Sequence, residues 1–193
     1  MLKIGITGGM GSGKTTVCKI FQCLNIPVYD ADFEAKQLYH TDEQLREEII
    51  LNFGTDILLN HQINHGLLAA KIFDHPEKRQ ILNALVHPRV KAHSAAWFKN
   101  QEGPYAIKEA ALLIESGGHL QLDSLIFVQA SKETRIQRVL KRNPSWTVEE
   151  IQQRMNAQMN EDEKKSFCQF EIINEDPHLL IPQVMRIHQQ LCP

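Results

Sequence analysis

Residues 4–16 read IGITGGMGSGKTT and decide the fold of this 193-residue chain. Within them, residues 8–15 fit the pattern G-x-x-x-x-G-K-[ST] at every fixed position. The mostly apolar residues 2–6 before the pattern are typical of a buried strand, and apolar residues recur at helical spacing from 17 to 24 after it. A strand, a glycine-rich loop and a helix in this order predict a phosphate-binding loop.

The loop supplies the groups that hold the phosphates of a nucleoside triphosphate. Its glycines permit backbone dihedrals that turn main-chain N–H groups inward, and the start of the helix adds to this anion cradle. The Lys14 ammonium can reach the outer phosphates, and the Thr15 hydroxyl can hold a Mg²⁺ bound to them. We therefore expect ATP to be bound by Gly9, Gly11, Ser12, Gly13, Lys14, Thr15 and Thr16.

Composition limits the other classes of function. Hydrophobic residues make up 42% of the chain and charged residues 23%, as in an ordinary enzyme of one domain. The net charge of −2 argues against nucleic-acid or membrane-surface partners, and no apolar run approaches the ~20 residues that span a bilayer. The four cysteines show no C-x-x-C spacing, and the N-terminus lacks the pattern of a signal peptide. We expect a cytoplasmic location.

Two aspartates follow the second predicted strand, residues 28–30. The carboxyl ends of parallel strands open toward one crevice, so Asp30 and Asp32 are expected near the phosphate loop. A carboxylate there can accept the proton of a substrate hydroxyl or fix Mg²⁺, whereas the alternative is that it caps the next helix. We assign Asp32 to catalysis and Asp30 to capping or support.

Residues 42–101 contain little strand signal and form a helical block where a small-molecule kinase would build its acceptor pocket. His87 and Arg89 flank a proline in a helix predicted to start after Pro76. Both substrate binding and a structural role in a kinked helix remain open for these two residues. His61 and His65 are four residues apart, but their neighbours indicate a loop rather than a metal site.

Three further strands and two charged positions complete the predicted core. The strand at 105–107 leads into Glu109, which can support Mg²⁺ through water or simply mark the entry to a helix. After the apolar strand at 125–128, the helix at 132–142 places its arginines on one face, where Arg138 and Arg142 can cover the nucleotide and stabilise the moving phosphoryl group. A polar helical pair from Thr147 to about Lys165 is typical of a lid, and a strand at 170–173 and a helix at 179–191 follow.

These motifs together resemble the dephospho-CoA kinase family over nearly the whole chain. The phosphate loop is shared by many families, so the specific similarity lies in the segments that follow it. They are Asp30-Ala31-Asp32, Leu85-Val86-His87-Pro88-Arg89, Leu112 to Gly117, Arg138 with Arg142, Arg154 to Gln158 and Ile172-Ile173-Asn174. The chain departs from the family's frequent Asp-Val-Pro at Glu109-Ala110-Ala111 and from its frequent Ala-Asp at Cys168-Gln169, so no role is assigned to Gln169.

The resemblance implies transfer of the ATP γ-phosphoryl group to the ribose 3′-hydroxyl of dephospho-CoA. Asp32 would be the base, Lys14 and Thr15 with Mg²⁺ would hold the phosphates, and lid arginines would close over them; His87 and Arg89 would contact the acceptor. It also implies a five-stranded parallel α/β sheet of the P-loop type in a monomer or weak homo-oligomer. The core would comprise residues 1–40, 103–137 and 169–193, with a helical CoA-side subdomain at about 41–102 and a lid at about 138–168.

Two other classes of protein have the same phosphate loop. The sequence of a kinase of another small acceptor, such as a nucleoside monophosphate or shikimate, differs only in the motifs that follow the loop. A nucleotide-dependent regulatory ATPase is less favoured, because the apolar strand at 125–128 runs into Gln129 rather than an aspartate, and no Asn-Lys-x-Asp motif is present.

Overall fold

The computed structural model describes residues 1–73 and 75–192. In chain order the elements are β1 (Leu2–Thr7), α1 (Lys14–Cys23), β2 (Val28–Asp30), α2 (Ala31–Thr41), α3 (Glu43–Phe53), β3 (Leu58–Leu59), β4 (Gln62–Ile63), α4 (His65–Ile72), α5 (Pro76–Lys99), β5 (Tyr105–Glu109), β6 (Ser124–Gln129), α6 (Lys132–Arg142), α7 (Val148–Asn156), α8 (Glu161–Ser166), β7 (Phe170–Ile173) and α9 (Leu180–Leu191). In this part of the chain, no helix is both long enough and apolar enough to cross a bilayer.

The first of two compact units, here called the sheet unit, comprises Met1–Asp30 and the chain from Asn100 onward. Its sheet has the strand order β2-β5-β1-β6-β7, and every neighbouring pair is parallel. Apart from their polar ends, the central strands β1, β5 and β6 are mostly apolar and buried, as parallel strands covered on both faces should be. Helices α1 and α9 pack against them through apolar residues spaced three and four apart. The predicted five-stranded parallel sheet flanked by helices is confirmed.

The register of the sheet brings three strand ends to one edge. Glu109, the last residue of β5, lies opposite Ile6 of β1 on one side and Asp30 of β2 on the other. Because the phosphate loop leaves β1 at Thr7, the loop begins at the same edge as the Asp30 and Glu109 carboxylates. Parallel pairing therefore assembles residues that are far apart in sequence.

The second unit, here called the helical unit, comprises Ala31–Lys99. In it α2, α3 and α5 pack on one another, and β3 and β4 form a short antiparallel hairpin. Asp42 caps α3 by accepting a hydrogen bond from the Leu45 N–H at 2.9 Å. Helix α5 continues through Pro88, also as expected.

One boundary differs from the expectation that the core includes residues 1–40. Helix α2 belongs to the helical unit, because it packs against α3 and α5. Asp32, in the first turn of α2, is therefore in the helical unit, whereas Asp30 is in the sheet unit.

Candidate functional site

The loop between β1 and α1 requires glycine at two positions. Gly11 and Gly13 have φ values of 80° and 91°, which other residues rarely adopt. A Cβ on Gly11 would lie 2.6 Å from the carbonyl oxygen of Arg135, and one on Gly13 would lie 2.0 Å from Nδ2 of Asn174. The loop is therefore packed against α6 and the end of β7, with no room for side chains.

The beginning of α1 fits an anion. Gly13 is its N-cap residue, so no side chain caps the first turn. Ser12, immediately before it, is fully buried, and its hydroxyl has no hydrogen-bond partner among the described residues. An uncapped helix N-terminus presents N–H groups and a partial positive charge, which phosphate oxygens satisfy.

Lys14 adds a cation over this loop. The side chain is only 8% exposed, and its ammonium donates a hydrogen bond to the Gly8 carbonyl at 3.0 Å, with a longer contact of 3.4 Å to the Gly9 carbonyl. Carbonyl oxygens stabilise the ammonium without cancelling its charge. The positive charge therefore lies inside the loop, where the sequence predicted that it would meet phosphate.

Thr15 and Glu109 meet at the sheet edge. The Thr15 hydroxyl donates to Oε1 of Glu109 at 3.0 Å, and Asp30 lies opposite Glu109 in the strand register. Burial raises the pKa of the Glu109 carboxyl, against the opposing effect of the Lys14 ammonium, and the charge of Asp30 raises it further. Hydroxyl and carboxylate oxygens are the ligands that Mg²⁺ prefers, so these three residues fit the predicted ion.

Arg138 contacts the phosphate loop directly. Its guanidinium donates to the backbone carbonyl of Asn174 at 2.9 Å and reaches the Ser12 carbonyl at 3.4 Å. Asn174 donates to the same Ser12 carbonyl through its side-chain amide at 2.8 Å. The loop is thus anchored to α6 and to the residue after β7. The sequence shows Asn174 only as part of a motif and predicts no role for it.

Arg135 is a site residue that the sequence did not single out. It is 7% exposed, and its Nη1 donates to Oε1 of Glu161 in α8 at 2.6 Å. Nη1 also lies 1.9 Å from the position that a Cβ on Gly9 would take, so the guanidinium rests on the phosphate loop. The basic bias of residues 132–142 identified the helix but not which arginine is buried. Arg142, in contrast, lies exposed at the end of α6.

Helices α7 and α8, which the sequence assigned to a lid, contact the loop and the segment after β5. The side-chain oxygen of Gln158 accepts a hydrogen bond from the Met10 N–H at 3.0 Å. The fully buried Lys164 pairs with Glu115 at 2.8 Å and donates to the Ala111 carbonyl at 3.0 Å. A small apolar cluster also joins α7 to α6, with members Val139, Ile151, Met155, Met10, Ile136, Leu140 and Trp146.

In the helical unit, Asp32 lies exposed in the first turn of α2. Burial, and then the negative charge of Asp32, raise the pKa of Tyr39 on the same helix to about 12. Half-buried His87 and Arg89 lie on α5. The structure therefore places the three predicted acceptor residues in the helical unit and the predicted nucleotide residues in the sheet unit.

Arg89 is held by the helices around it. Its guanidinium donates to Oε1 of Glu48 at 2.9 Å, lies 3.3 Å from Oδ2 of Asp42, and donates to the Leu85 carbonyl at 3.0 Å. Two carboxylates of the helical unit therefore surround the Arg89 side chain.

Gln169 has a structural function where the family frequently has aspartate. Its side-chain oxygen accepts hydrogen bonds from the Leu125 N–H at 2.8 Å and from the Ser124 hydroxyl at 3.0 Å. An amide oxygen accepts these bonds as a carboxylate would, so the start of β6 stays anchored without the charge.

Comparisons with known proteins agree on one family. The family model described as CoaE, dephospho-CoA kinase, matches residues 2–178. The dephospho-CoA kinase of Bacteroides fragilis is 36% identical over 187 residues, covering 96% of this chain and 91% of the relative. That of Porphyromonas gingivalis is 37% identical over 188 residues, covering 97% and 93%.

Solved structures show the same architecture. A Thermus thermophilus protein superposes with a TM-score of 0.85 at 29% identity, covering 98% of this chain and 96% of that chain. A dephospho-CoA kinase of Campylobacter jejuni reaches 0.70 at 21% identity, with 98% and 96% coverage. An Acinetobacter baumannii shikimate kinase reaches 0.55 at 16% identity, covering 99% and 93%, which shows that this fold is shared with kinases of other acceptors.

Proposed function

The chain belongs to the dephospho-CoA kinase family, and from that premise we propose that it transfers the γ-phosphoryl group of ATP to the ribose 3′-hydroxyl of dephospho-CoA. The products are CoA and ADP, in the last step of CoA synthesis. The observation that carries the proposal is the phosphate loop, whose uncapped helix N-terminus and buried Lys14 face inward together. The family match, which extends from residue 2 to residue 178, supports the choice of acceptor.

The sheet unit binds the nucleotide. The loop amides and the start of α1 hold the β- and γ-phosphates, and the Lys14 ammonium neutralises their outer oxygens. The residues assigned to this role are Gly9, Gly11, Ser12, Gly13, Lys14, Thr15 and Thr16. Arg138 faces the same loop, and Arg142 and Arg135 lie on the same helix. These guanidinium groups stabilise the charge on the phosphoryl group as it moves.

Thr15 and Glu109 would hold Mg²⁺, with Asp30 supporting Glu109 from the neighbouring strand. The ion, when bound, neutralises charge that develops between the β- and γ-phosphates. The Thr15–Glu109 hydrogen bond orients both oxygens before any ion arrives. A magnesium ligand set that is fixed in advance loses less entropy on binding.

The helical unit binds the acceptor. Asp32 takes the proton from the ribose 3′-hydroxyl, and His87 and Arg89 contact dephospho-CoA. Support for Asp32 comes from its position two residues after Asp30, where the chain passes from the sheet edge into α2. Positioning of the hydroxyl and neutralisation of charge supply most of the acceleration in such a transfer.

Helices α7 and α8, within residues 138–168, act as the lid that brings arginines over the nucleotide. The reaction runs in the cytoplasm, in a monomer or weak homo-oligomer. All four cysteines are free thiols, which fits a reducing compartment.

The proposal is tested by ADP release from Mg-ATP with and without dephospho-CoA. We expect release to require the acceptor and to fall by about 10²–10⁴-fold in Asp32→Asn, because a general base contributes that much. Glu43→Gln is the matched control, since Glu43 is an exposed carboxylate in the first turn of α3 in the same unit. Release driven instead by shikimate or a nucleoside monophosphate would contradict the acceptor, and unchanged turnover of Asp32→Asn would contradict the base.

A further inference from the structure

Two histidines from different helices meet in the helical unit, far along the chain from each other. Nε2 of His40, near the end of α2, lies 3.4 Å from Nε2 of His65, the first residue of α4. The sequence pairs His65 with His61 by spacing, but the structure pairs it with His40. The ring of buried Tyr39 lies against His65, with centroids 5.4 Å apart.

The separation of the two nitrogens is that of two ligands on one metal ion. The contact is within reach of a hydrogen bond, but it would be a long one, since N–H donors usually lie about 2.7–3.2 Å from an oxygen acceptor. Two nitrogens that each lie about 2.0–2.1 Å from a tetrahedral Zn²⁺ are about 3.4 Å apart. The observed 3.4 Å matches the second arrangement.

The ring positions agree with this geometry. Consider an ion that lies about 2.0–2.1 Å from each Nε2, along the lone pair of that nitrogen. If the two nitrogens subtend a tetrahedral angle at the ion, the two ring centres are about 5.2 Å apart. The observed centroids are 5.3 Å apart and the rings are nearly perpendicular, at 86°. If the two nitrogens pointed straight at each other, the ring centres would be farther apart than this. The separation of the rings therefore agrees with two imidazoles that bind one ion.

The exposure of the pair suits a metal. His40 is exposed and His65 half-buried, so ions and water reach both nitrogens. The nearby Lys36 ammonium repels cations and keeps the affinity moderate.

We propose that His40 and His65 form a site for a transition-metal ion such as Zn²⁺, with both Nε2 atoms as ligands and water in the remaining positions. An ion held there links the end of α2 to the start of α4. Because α2 also carries Asp32, the ion stabilises the helix on which the proposed base lies. The readouts below are binding and stability, so they do not depend on the proposed reaction.

The test is a Zn²⁺ titration of the full chain, in competition with a chromophoric chelator and without nucleotide. We expect binding of one equivalent at micromolar concentrations, weakened at least tenfold in both His40→Ala and His65→Ala. His61→Ala is the matched control, because His61 is an exposed histidine near the pair in sequence, and its affinity should not change. Zn²⁺ should also raise the Tm of the unaltered chain and of His61→Ala, but not of the other two variants.

Two outcomes would overturn the proposal. One is the absence of binding in the unaltered chain when Zn²⁺ is in excess of the protein at micromolar concentrations. The other is equal affinity in all variants, which would place the ion on other groups such as the free thiols. Since His65→Ala also alters the first residue of α4, circular dichroism confirms its fold, and His40→Ala gives the independent answer if that fold is lost.

Discussion

Two arginines, one in each unit, are held by several hydrogen bonds but by partners of different charge. Arg138 of the sheet unit donates to the backbone carbonyls of Asn174 and Ser12. Arg89 of the helical unit lies between the carboxylates of Asp42 and Glu48. The first arginine is oriented mainly by carbonyl oxygens, with the Glu175 carboxylate near enough to interact, whereas two carboxylates compensate the charge of the second.

This difference separates two ways of building a charged site. In the sheet unit, Lys14 and Arg138 donate to backbone carbonyls, so more of the positive potential stays available to a polyphosphate, although the Glu109 carboxyl also acts on Lys14. Arg135 is the exception, because Glu161 pairs with it. In the helical unit, ion pairs stabilise the packing of α3 and α5 and leave less potential for a ligand. We therefore expect changes on the sheet side to affect turnover most.

The largest effect is expected from Lys14→Ala. Removing the buried ammonium takes away the charge closest to the loop carbonyls, and kcat/KM should fall by at least about 10³-fold. Lys19→Ala, which removes an exposed ammonium from the same helix, should stay within about twofold because a surface charge contributes little. Steady-state kinetics with Mg-ATP and dephospho-CoA measure both. Near-normal turnover of Lys14→Ala would contradict the assignment of the loop.

The two arginines themselves provide the sharper comparison. Arg138→Gln should lower kcat/KM by about 10²–10³-fold, the usual effect of losing one preorganised donor to developing charge. Arg89→Gln should raise the KM for dephospho-CoA by only roughly fivefold, with a lower Tm, because its charge is already compensated.

Glu48→Gln is the control for Arg89. It breaks the same ion pair but leaves the guanidinium in place, so it should lower the Tm without raising the KM for dephospho-CoA. If Glu48→Gln raised that KM as much as Arg89→Gln, Arg89 would act only through packing. If Arg89→Gln cost more turnover than Arg138→Gln, the distinction between the two units would fail.

Local patterns predicted much of this molecule. The phosphate loop, the parallel strands and the bounds of α6 all follow from the spacing of residues within short windows. The structure has the loop at residues 8–13, between β1 and α1, and α6 at Lys132–Arg142, as expected. The placement of Thr15 beside Glu109 was also accessible, because strand ends in a parallel sheet meet at one edge.

Contacts between distant segments were not predictable in this way. The pairing of Arg135 with Glu161, the burial of Lys164 against Glu115, and the meeting of His40 with His65 each join different elements. A run of basic residues looks the same whether its members face solvent or a carboxylate, since burial depends on tertiary packing. For the same reason α2 could not be assigned to the helical unit, because its apolar residues do not reveal which neighbours they contact.

The smallest expected effect concerns Glu175, which holds the chain after Asn174 against the start of α6. Hydrogen bonds from the Ser131 hydroxyl, the Thr134 hydroxyl and the Ser131 N–H lower the pKa of its carboxyl from 4.5 to about 2. Between these values the unfolded chain binds more protons than the folded one, so stability should fall as the pH falls from about 4.5 to about 2.

Glu175→Gln should remove this part of the acid sensitivity and lower stability at pH 7, as measured by urea unfolding across the pH range. Glu133→Gln, which alters an exposed carboxylate in the first turn of α6, should leave the loss of stability at low pH unchanged. Because Glu175 follows the asparagine that anchors Ser12, its loss should also raise the KM for ATP slightly, without affecting that for dephospho-CoA. An equal rise in both would show that the nucleotide and acceptor sides are not held independently.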